Sequence, residues 1–408
     1  MRRTLAVIAL AFMTACAAAQ PPNTAEPTMQ QAEPGDAPAA PSSGESAFDV
    51  ALYRELAQES GGHFVSPLSV ESAFALVYAG ARGRTAAEMA DVFGYDADFA
   101  AAAAAAQARD AALEANGQFA IANAVWVERS FALAPPYVRL VRDRMGAMVA
   151  PLDFSDRRSA ANTINAWVSE ATAERIPSLI SEAFITEDAR LVLTNAVYFK
   201  ADWADQFRAN DTREGDFRLA SGDTRRAQLM RQTTRARYFE EDAFQAAEFD
   251  YAGDAFALAV FLPRTPDGLP SLEARLGDLT PWLARLSAAN RAELNLTLPK
   301  VEMNTSYDLV APLQRLGLRA AFSHNADLSG IAGGGLVVSK VIHKAFLKID
   351  EQGTEAAAAT AIGVEVTSAP APPPRRIDFT ADRPFFLVLR HKPSGQILFL
   401  GRVVDPAG

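Results

Sequence analysis

Leu191–Phe199, LVLTNAVYF, is nearly continuous apolar sequence, and a strand without polar alternation has to be covered on both faces. A layered fold with a large core follows from that one segment. Further strands come in runs, at 227–239, 246–250, 256–262, 293–301, 337–349, 385–390 and 397–403, with short helices interposed at 272–276, 282–286 and 309–316. Strands grouped in runs point to an α+β fold rather than a doubly wound parallel sheet. The first third is helical instead, with segments at 48–56, 69–80, 86–93, 100–113 and 159–176 around one strand at 119–127. Ser66-Pro67 opens the second of these helices, and Pro177 closes the last. No linker or repeat divides the part after residue 45, and about 360 residues exceed the usual limit of roughly 250–300 for one core, so either several sheets share it or a domain boundary is hidden.

The N-terminus reads as an address. Arg2 and Arg3 precede an apolar run from Leu5 to Met13 and then small residues, the order of an export signal. The run is too short for a span, which needs about 20 apolar residues. Two processing readings stay open. Ala17 and Ala19 suit signal-peptidase cleavage, whereas Met13-Thr14-Ala15-Cys16 resembles a bacterial lipobox whose cysteine carries an acyl anchor. Cys16 is the single cysteine, which favours the lipoprotein and excludes a disulfide framework, a site with several thiolates and any Cys-x-x-Cys motif. Residues 17–45 are Ala, Pro, Gln, Glu, Ser and Gly with almost no large apolar side chain, the composition of a flexible tether. The expected division is therefore a signal peptide at 1–15, a tether at 16–45 and a folded part at 46–408. Such a chain is exported, and it is either lipid-anchored to the cell envelope or secreted.

Charge and motifs remove whole classes of function. The formal net charge is −10, the wrong sign for a polyanion partner, so nucleic acid is not expected. Gly-x-Ser-x-Gly, Ser-x-x-Lys, His-Glu-x-x-His and the dinucleotide glycine fingerprint are all missing. Gly333-Gly334-Gly335 lacks the spacing of a phosphate loop and reads as a turn. The histidines stand at 63, 324, 343 and 391, without a spacing that would hold a metal. Neither an enzyme nor a cofactor site is expected.

The informative stretch is 351–374. Read with period two, Thr354, Ala356, Ala358, Thr360, Ile362, Val364 and Val366 form one face, and Glu355, Ala357, Ala359, Ala361, Gly363, Glu365 and Thr367 the other. Both charges lie on the second face, so the first could be buried. The prolines at 370, 372, 373 and 374 cannot donate ladder hydrogen bonds, which places the end of the segment in an exposed loop. Thr354 followed by Glu355 and Ala356 to Ala359 could equally cap a helix, and local propensity does not separate the two.

Ordered motifs carry a resemblance over 46–406. Phe64-Val65-Ser66-Pro67-Leu68-Ser69, Leu193-Thr194-Asn195-Ala196-Val197-Tyr198-Phe199-Lys200 with Trp203, and Leu298-Pro299-Lys300 with Tyr307-Asp308-Leu309 resemble serpin signatures in serpin order. Ala326-Asp327-Leu328-Ser329-Gly330, Ser339-Lys340-Val341-Ile342-His343-Lys344, Asp382-Arg383-Pro384-Phe385 and Phe399-Leu400-Gly401-Arg402-Val403 continue it. The resemblance implies a metastable α+β fold of three sheets and about nine helices, with a reactive loop at 351–376. It implies a serine protease inhibitor working as a suicide substrate, whose cleaved loop inserts into the central sheet and traps the acyl-enzyme. Insertion of this kind adds a strand to a sheet and releases strain stored in the uncleaved fold, as serpins are known to do.

Residue by residue, the resemblance assigns a hinge to Gly353, Thr354, Glu355, Ala356, Ala357, Ala358, Ala359 and Thr360. Counting on from Gly353 puts the reactive bond at Thr367-Ser368, with Val366 as the neighbouring alternative. Counted back from Pro384 the register differs, because the proline-rich return is longer than usual; insertion constrains the hinge side, so that count is preferred. A small β-branched bait residue suits elastase-like or subtilisin-like proteases. Ser66, Ser69, Asn195 and His343 match the shutter, a polar group beneath the central sheet that equally reads as a satisfied buried cluster. Trp203, Lys300 and Glu351 match the breach, where the loop goes in, although a Lys–Glu pair is also an ordinary surface ion pair. A heparin-binding helix has no clear counterpart. The implied partner is a serine protease, held covalently by a monomer; the alternative is a non-inhibitory serpin acting as a surface binding protein.

Overall fold

The computed structural model describes residues 43–406 apart from 97, 98, 116, 173, 175, 187 and 355–375. Cys16, the signal, the tether as far as residue 42, Glu355 to Thr360, Val366, Thr367 and Ser368 lie outside the described residues. Nine α-helices are present among the described residues: α1 (Ser43–Leu56), α2 (Pro67–Gly80), α3 (Gly83–Phe93), α4 (Phe99–Glu114), α5 (Pro135–Met145), α6 (Arg157–Ala171), α7 (Leu269–Glu273), α8 (Thr280–Ala288) and α9 (Val310–Arg315). The first starts three residues before the expected boundary at 46.

Sixteen strands accompany them among the described residues. They are β1 (His63–Val65), β2 (Phe119–Glu128), β3 (Met148–Leu152), β4 (Leu191–Phe199), β5 (Ala201–Asp202), β6 (Arg213–Arg218), β7 (Thr224–Glu240), β8 (Phe244–Asp250), β9 (Phe256–Pro263), β10 (Arg291–Pro299), β11 (Val301–Asp308), β12 (Val338–Ile349), β13 (Gly353–Thr354), β14 (Ile377–Thr380), β15 (Phe385–His391) and β16 (Ile397–Val403).

Hydrogen bonding joins these strands into two sheets among the described residues, where three were expected. The reason is the 17-residue β7, which pairs with β6 over 224–229, with β10 over 229–237 and with β8 over 237–240. It leaves one group of strands and enters the next, fusing two sheets into one ladder of nine. The other sheet has seven strands, in the order β3-β2-β4-β12-β13-β5 with β11 on β12.

Local chemistry explains the ends of the elements that matter here. Ser66 caps α2 by accepting the Ser69 N–H at 3.2 Å, with Pro67 in the first turn. That cap sets Ser66 and Ser69 one turn apart on a helix buried all round. Helix α6 stops at Ala171, short of the expected 176, because Thr172 turns its hydroxyl back onto Val168 O at 2.8 Å and Glu174 takes a left-handed φ of 65°. The expected strand at 293–301 is instead the first of two, β10 and β11, broken at Lys300.

The expectation of cover on both faces is met at β4, where eight of the nine residues are buried. One face packs with Phe64, Phe256, Leu258, Leu347 and Phe399 between the two sheets, where Phe64 stacks on Phe399 at 4.6 Å. The other face, through Val192 and Ala196, meets Ile164 and Val168 of α6. Each Val, Leu, Ile or Phe side chain among them contributes about 1.5–3 kcal/mol when fully buried.

Candidate functional site

Strands β4 and β12 run parallel at the centre of the seven-stranded sheet. Their pairing joins Leu191 through Ala196 to Val338 through Lys344 and goes no further. Beyond it the upper halves, 197–199 and 345–349, have no mutual pairing among the described residues. The chain itself occupies the top of that gap.

After β12 it makes a tight turn. Asp350 Oδ1 accepts the N–H groups of Gln352 at 3.0 Å and Gly353 at 3.3 Å, an Asx turn, and Asp350 N–H donates to Gly353 O at 2.9 Å. The returning strand β13 then pairs antiparallel on both sides, Thr354 with Ile349 of β12 and with Ala201 of β5, and Gly353 with Asp202. Gly353 is required there, because a Cβ would stand 2.1 Å from Ala201 O. The expectation of an exposed loop from residue 351 onward is therefore corrected at its start: Gly353 and Thr354 are buried, and Glu351 and Gln352 half-buried. The Asx turn and the close approach of β5 pull them in.

The three breach residues come together at this turn. Trp203 donates its indole N–H to Asp350 O at 3.0 Å and its backbone N–H to Gln352 O at 2.8 Å. Lys300 Nζ lies 2.8 Å from Glu351 Oε2, and Thr212 donates to Glu351 Oε1 at 2.8 Å. Burial raises the Glu351 carboxyl pKa, but the bonds from Lys300 and Thr212 outweigh it and hold the group below its ordinary value. Tyr251, Asp350 and Thr212 were not singled out from the sequence. Asp350 had a readable signal, an Asx residue three before a glycine; Tyr251 had none, since strand bridging alone brings it beside Trp203.

The four shutter residues also meet. His343 Nε2 accepts the Ser66 N–H at 3.1 Å, so the ring proton sits on Nδ1 and is donated to Asn195 Oδ1, 3.1 Å away. Ser69 Oγ donates to the same Asn195 oxygen. Asn195 Nδ2 donates to Asn123 Oδ1 at 2.7 Å, extending the cluster to β2, a link that the motifs did not indicate. The Tyr307 ring lies parallel to His343 at 6.4 Å. With His343 wholly buried and no carboxylate among these partners, burial lowers its pKa to about 3. Neutral, it ties α2 to both central strands.

Among the described residues no group of His, Cys, Asp and Glu is placed to hold a metal ion. The arrangement is a gap in a sheet with its first strand residues seated, above a polar lock on the strands that would have to part.

Comparison with known proteins places this geometry. A family profile described as Serpin (serine protease inhibitor) matches residues 43–406. Leukocyte elastase inhibitor of Bos taurus is 35% identical over 374 residues, covering 88% of this chain and 97% of its own. A serpin-like protein of Thermococcus kodakarensis is 36% identical over 367 residues, covering 88% and 84%. Among solved structures, Serpin48, a highly specific serpin of the insect Tenebrio molitor, superposes with a TM-score of 0.79 at 30% identity, covering 89% of this chain and 97% of its own. Human thyroxine-binding globulin complexed with thyroxine gives 0.81 at 26% identity, covering 89% and 98%. Profile, relatives and fold agree over the same residues, and the chain belongs to the serpin family of serine protease inhibitors.

Proposed function

We propose that the chain inhibits an elastase-like or subtilisin-like serine protease as a suicide substrate, with Thr367-Ser368 as the bond attacked. The protease acylates itself on Thr367, the freed loop inserts as a strand between β4 and β12, and the acyl-enzyme is carried along before water can hydrolyse it.

The single observation that carries this reading is a register. Thr354 sits opposite Ile349 on one side and Ala201 on the other. Continued without a bulge, each further loop residue steps one residue back along both neighbours, so Thr360 arrives opposite His343 and Asn195. Those two residues are already partners of each other in the closed sheet. Two independent pairings thus converge on one row, which supports insertion along the whole gap. The face that would turn inward is Thr354, Ala356, Ala358, Thr360, Ile362, Val364 and Val366, and it carries no charge.

Magnitudes agree. Fourteen residues from Thr354 to Thr367 extend about 46 Å as a strand. Ladder hydrogen bonds worth ~0.5–1.5 kcal/mol net give on the order of 10 kcal/mol over that length. The choice of target rests on Thr367 and Val366, small and β-branched, and on the relatives named leukocyte elastase inhibitor.

The test is a gel. The full chain mixed with an elastase, a subtilisin and a trypsin should give an SDS-stable complex with one of the first two, with cleavage after Thr367 by mass spectrometry. Absence of a complex with every member, together with no gain in heat stability on loop cleavage, would support the alternative of a binding protein on this scaffold, as in the thyroxine-binding globulin complex.

For location, we propose export and acylation at Cys16, which would place a monomeric inhibitor at the membrane surface. Radiolabelled palmitate should enter the parent and not Cys16→Ser. A mature N-terminus following Ala19 would instead mean secretion without an anchor.

A further inference from the structure

Tyr251 is fully buried, and its hydroxyl lies 2.5 Å from Thr354 Oγ1, also buried. The ring has no room to turn away. It stacks on Trp203 at 4.5 Å and 11°, and Phe199 meets it edge-on at 5.0 Å. Trp203 in turn holds the backbone of the turn at Asp350 and Gln352. One aromatic pair therefore grips the start of the loop twice, the indole on the main chain and the phenol on the first side chain.

We propose that Tyr251 is a positioning residue for loop insertion, its hydroxyl seating Thr354 in the gap before a protease arrives, so that insertion grows from a strand already started. The inference rests on the inhibitory reading above and names the residue that sets its first step. Starting a strand is the costly part, since ends must be ordered before pairing rewards them. With Gly353 and Thr354 in register on both sides, that step is already taken. The seat also resists being vacated. If Thr354 left, the Tyr251 hydroxyl would stay buried without this partner, and a buried unpaired hydroxyl is costlier than the bond is favourable. This accounts for a hydroxyl residue at 354 in a segment that continues as four alanines, Ala356 to Ala359.

The test is a cycle on the full chain: parent, Tyr251→Phe, Thr354→Val and the double variant, with Thr354→Ser as the conservative change. Amide hydrogen exchange in the segment 350–354 of the uncleaved protein reads the seat, and the fraction of inhibitor trapped on an elastase reads its consequence. Exchange should rise about two- to ten-fold in each single variant, the range of one buried hydrogen bond, with no further rise in the double variant and parental behaviour in Thr354→Ser. The trapped fraction should fall in the same order. Unchanged exchange in Tyr251→Phe, or a double variant equal to the sum of the singles, overturns the seat; altered exchange with an unaltered trapped fraction overturns its role in insertion. A parent that traps no protease overturns the inhibitory reading and the insertion role with it, while the exchange cycle still decides whether Tyr251 seats the hinge.

Discussion

His343 Nδ1 lies 3.1 Å from Asn195 Oδ1, and the two residues are register partners across the parallel seam between β12 and β4. Any strand that enters the sheet has to part this pair. The same imidazole accepts the Ser66 N–H, so opening the seam also pulls on the first turn of α2. Seam and helix are thus one mechanical unit, locked by neutral hydrogen bonds that are strong only while the site stays dry.

Protonation should unlock it. Burial holds the His343 pKa at about 3, against ~6.5 in an unfolded chain, so between those values the unfolded state binds the extra proton. The stabilisation is complete above pH ~7 and is lost as pH falls through 6.5, at ~1.4 kcal/mol per unit, or about 2 kcal/mol by pH 5. Burial also lowers His63 and His391, which add the same sign. The unfolding midpoint should therefore drop between pH 7.5 and 5, with a shallower drop in His343→Gln. Equal slopes in parent and variant would count against this assignment.

Gly353→Ala should empty the hinge seat. The added Cβ would meet backbone, Ala201 O at 2.1 Å and Asp202 Cα at 2.7 Å, and backbone has no rotamer with which to yield. The expected outcome is a protein that folds, is cut by its target faster than it traps it, and shows raised amide exchange at 350–354. Thr354→Arg should do the same for a second reason, because position 354 is already buried, and an unpaired buried charge costs several kcal/mol. Parental trapping by both variants would contradict the seated hinge.

Arg390 and Glu248 form the most enclosed ion pair in the molecule's described part, at 2.5 Å with side chains 6% and 1% exposed. Glu248 Oε1 has no hydrogen bond of its own, and Arg237 stands 3.9 Å from it. Arg390→Met should leave that carboxylate with only the more distant Arg237 opposite it and cost up to about 3–5 kcal/mol. Arg390→Met with Glu248→Leu should recover most of the loss, as apolar replacement of a buried pair often does. Thermal unfolding of the three proteins decides it; a double variant as unstable as Arg390→Met would mean that packing, not charge, sets the cost.

How much of this was legible beforehand depends on the kind of signal. Leu191–Phe199 was readable as a doubly covered strand because burial leaves no room for polar alternation, and β16 was readable to the residue. Strand β11 was not, since VEMNTSYD turns a polar face outward and its pairing with β12 comes from residues about 40 positions away. Helix α5 begins Pro135-Pro136, which reads as a breaker unless the first turn, where no N–H is needed, is recognised. At the site, Ser66, Ser69, Asn195 and His343 were found through motif order. Asn123 and Tyr251 were not, because nothing local marks a residue whose partner is supplied by another strand.

The register makes a last prediction, about the inserted product. Thr354 and Thr360 share a face by the two-residue period, so the Thr360 hydroxyl would point inward at the row of His343 and Asn195. Insertion breaks the bond between those two residues; Asn195 Oδ1 keeps the Ser69 hydroxyl, but the His343 Nδ1–H then needs a new acceptor. A threonine can supply it, accepting from His343 Nδ1 while its own O–H is free to donate to Asn195 Oδ1. Thr360→Val keeps the shape and removes that ability, leaving the buried His343 Nδ1–H without an acceptor, at a cost of about 1–3 kcal/mol. The loop-cleaved form of Thr360→Val should therefore gain less heat stability over its uncleaved form than the parent does, and more of it should be cut without trapping protease. Thr360→Ser should restore both. A one-residue slip would instead bring Ala359 or Ala361 to that row, and Thr360→Val would then leave the cleaved form unchanged, which would refute the register.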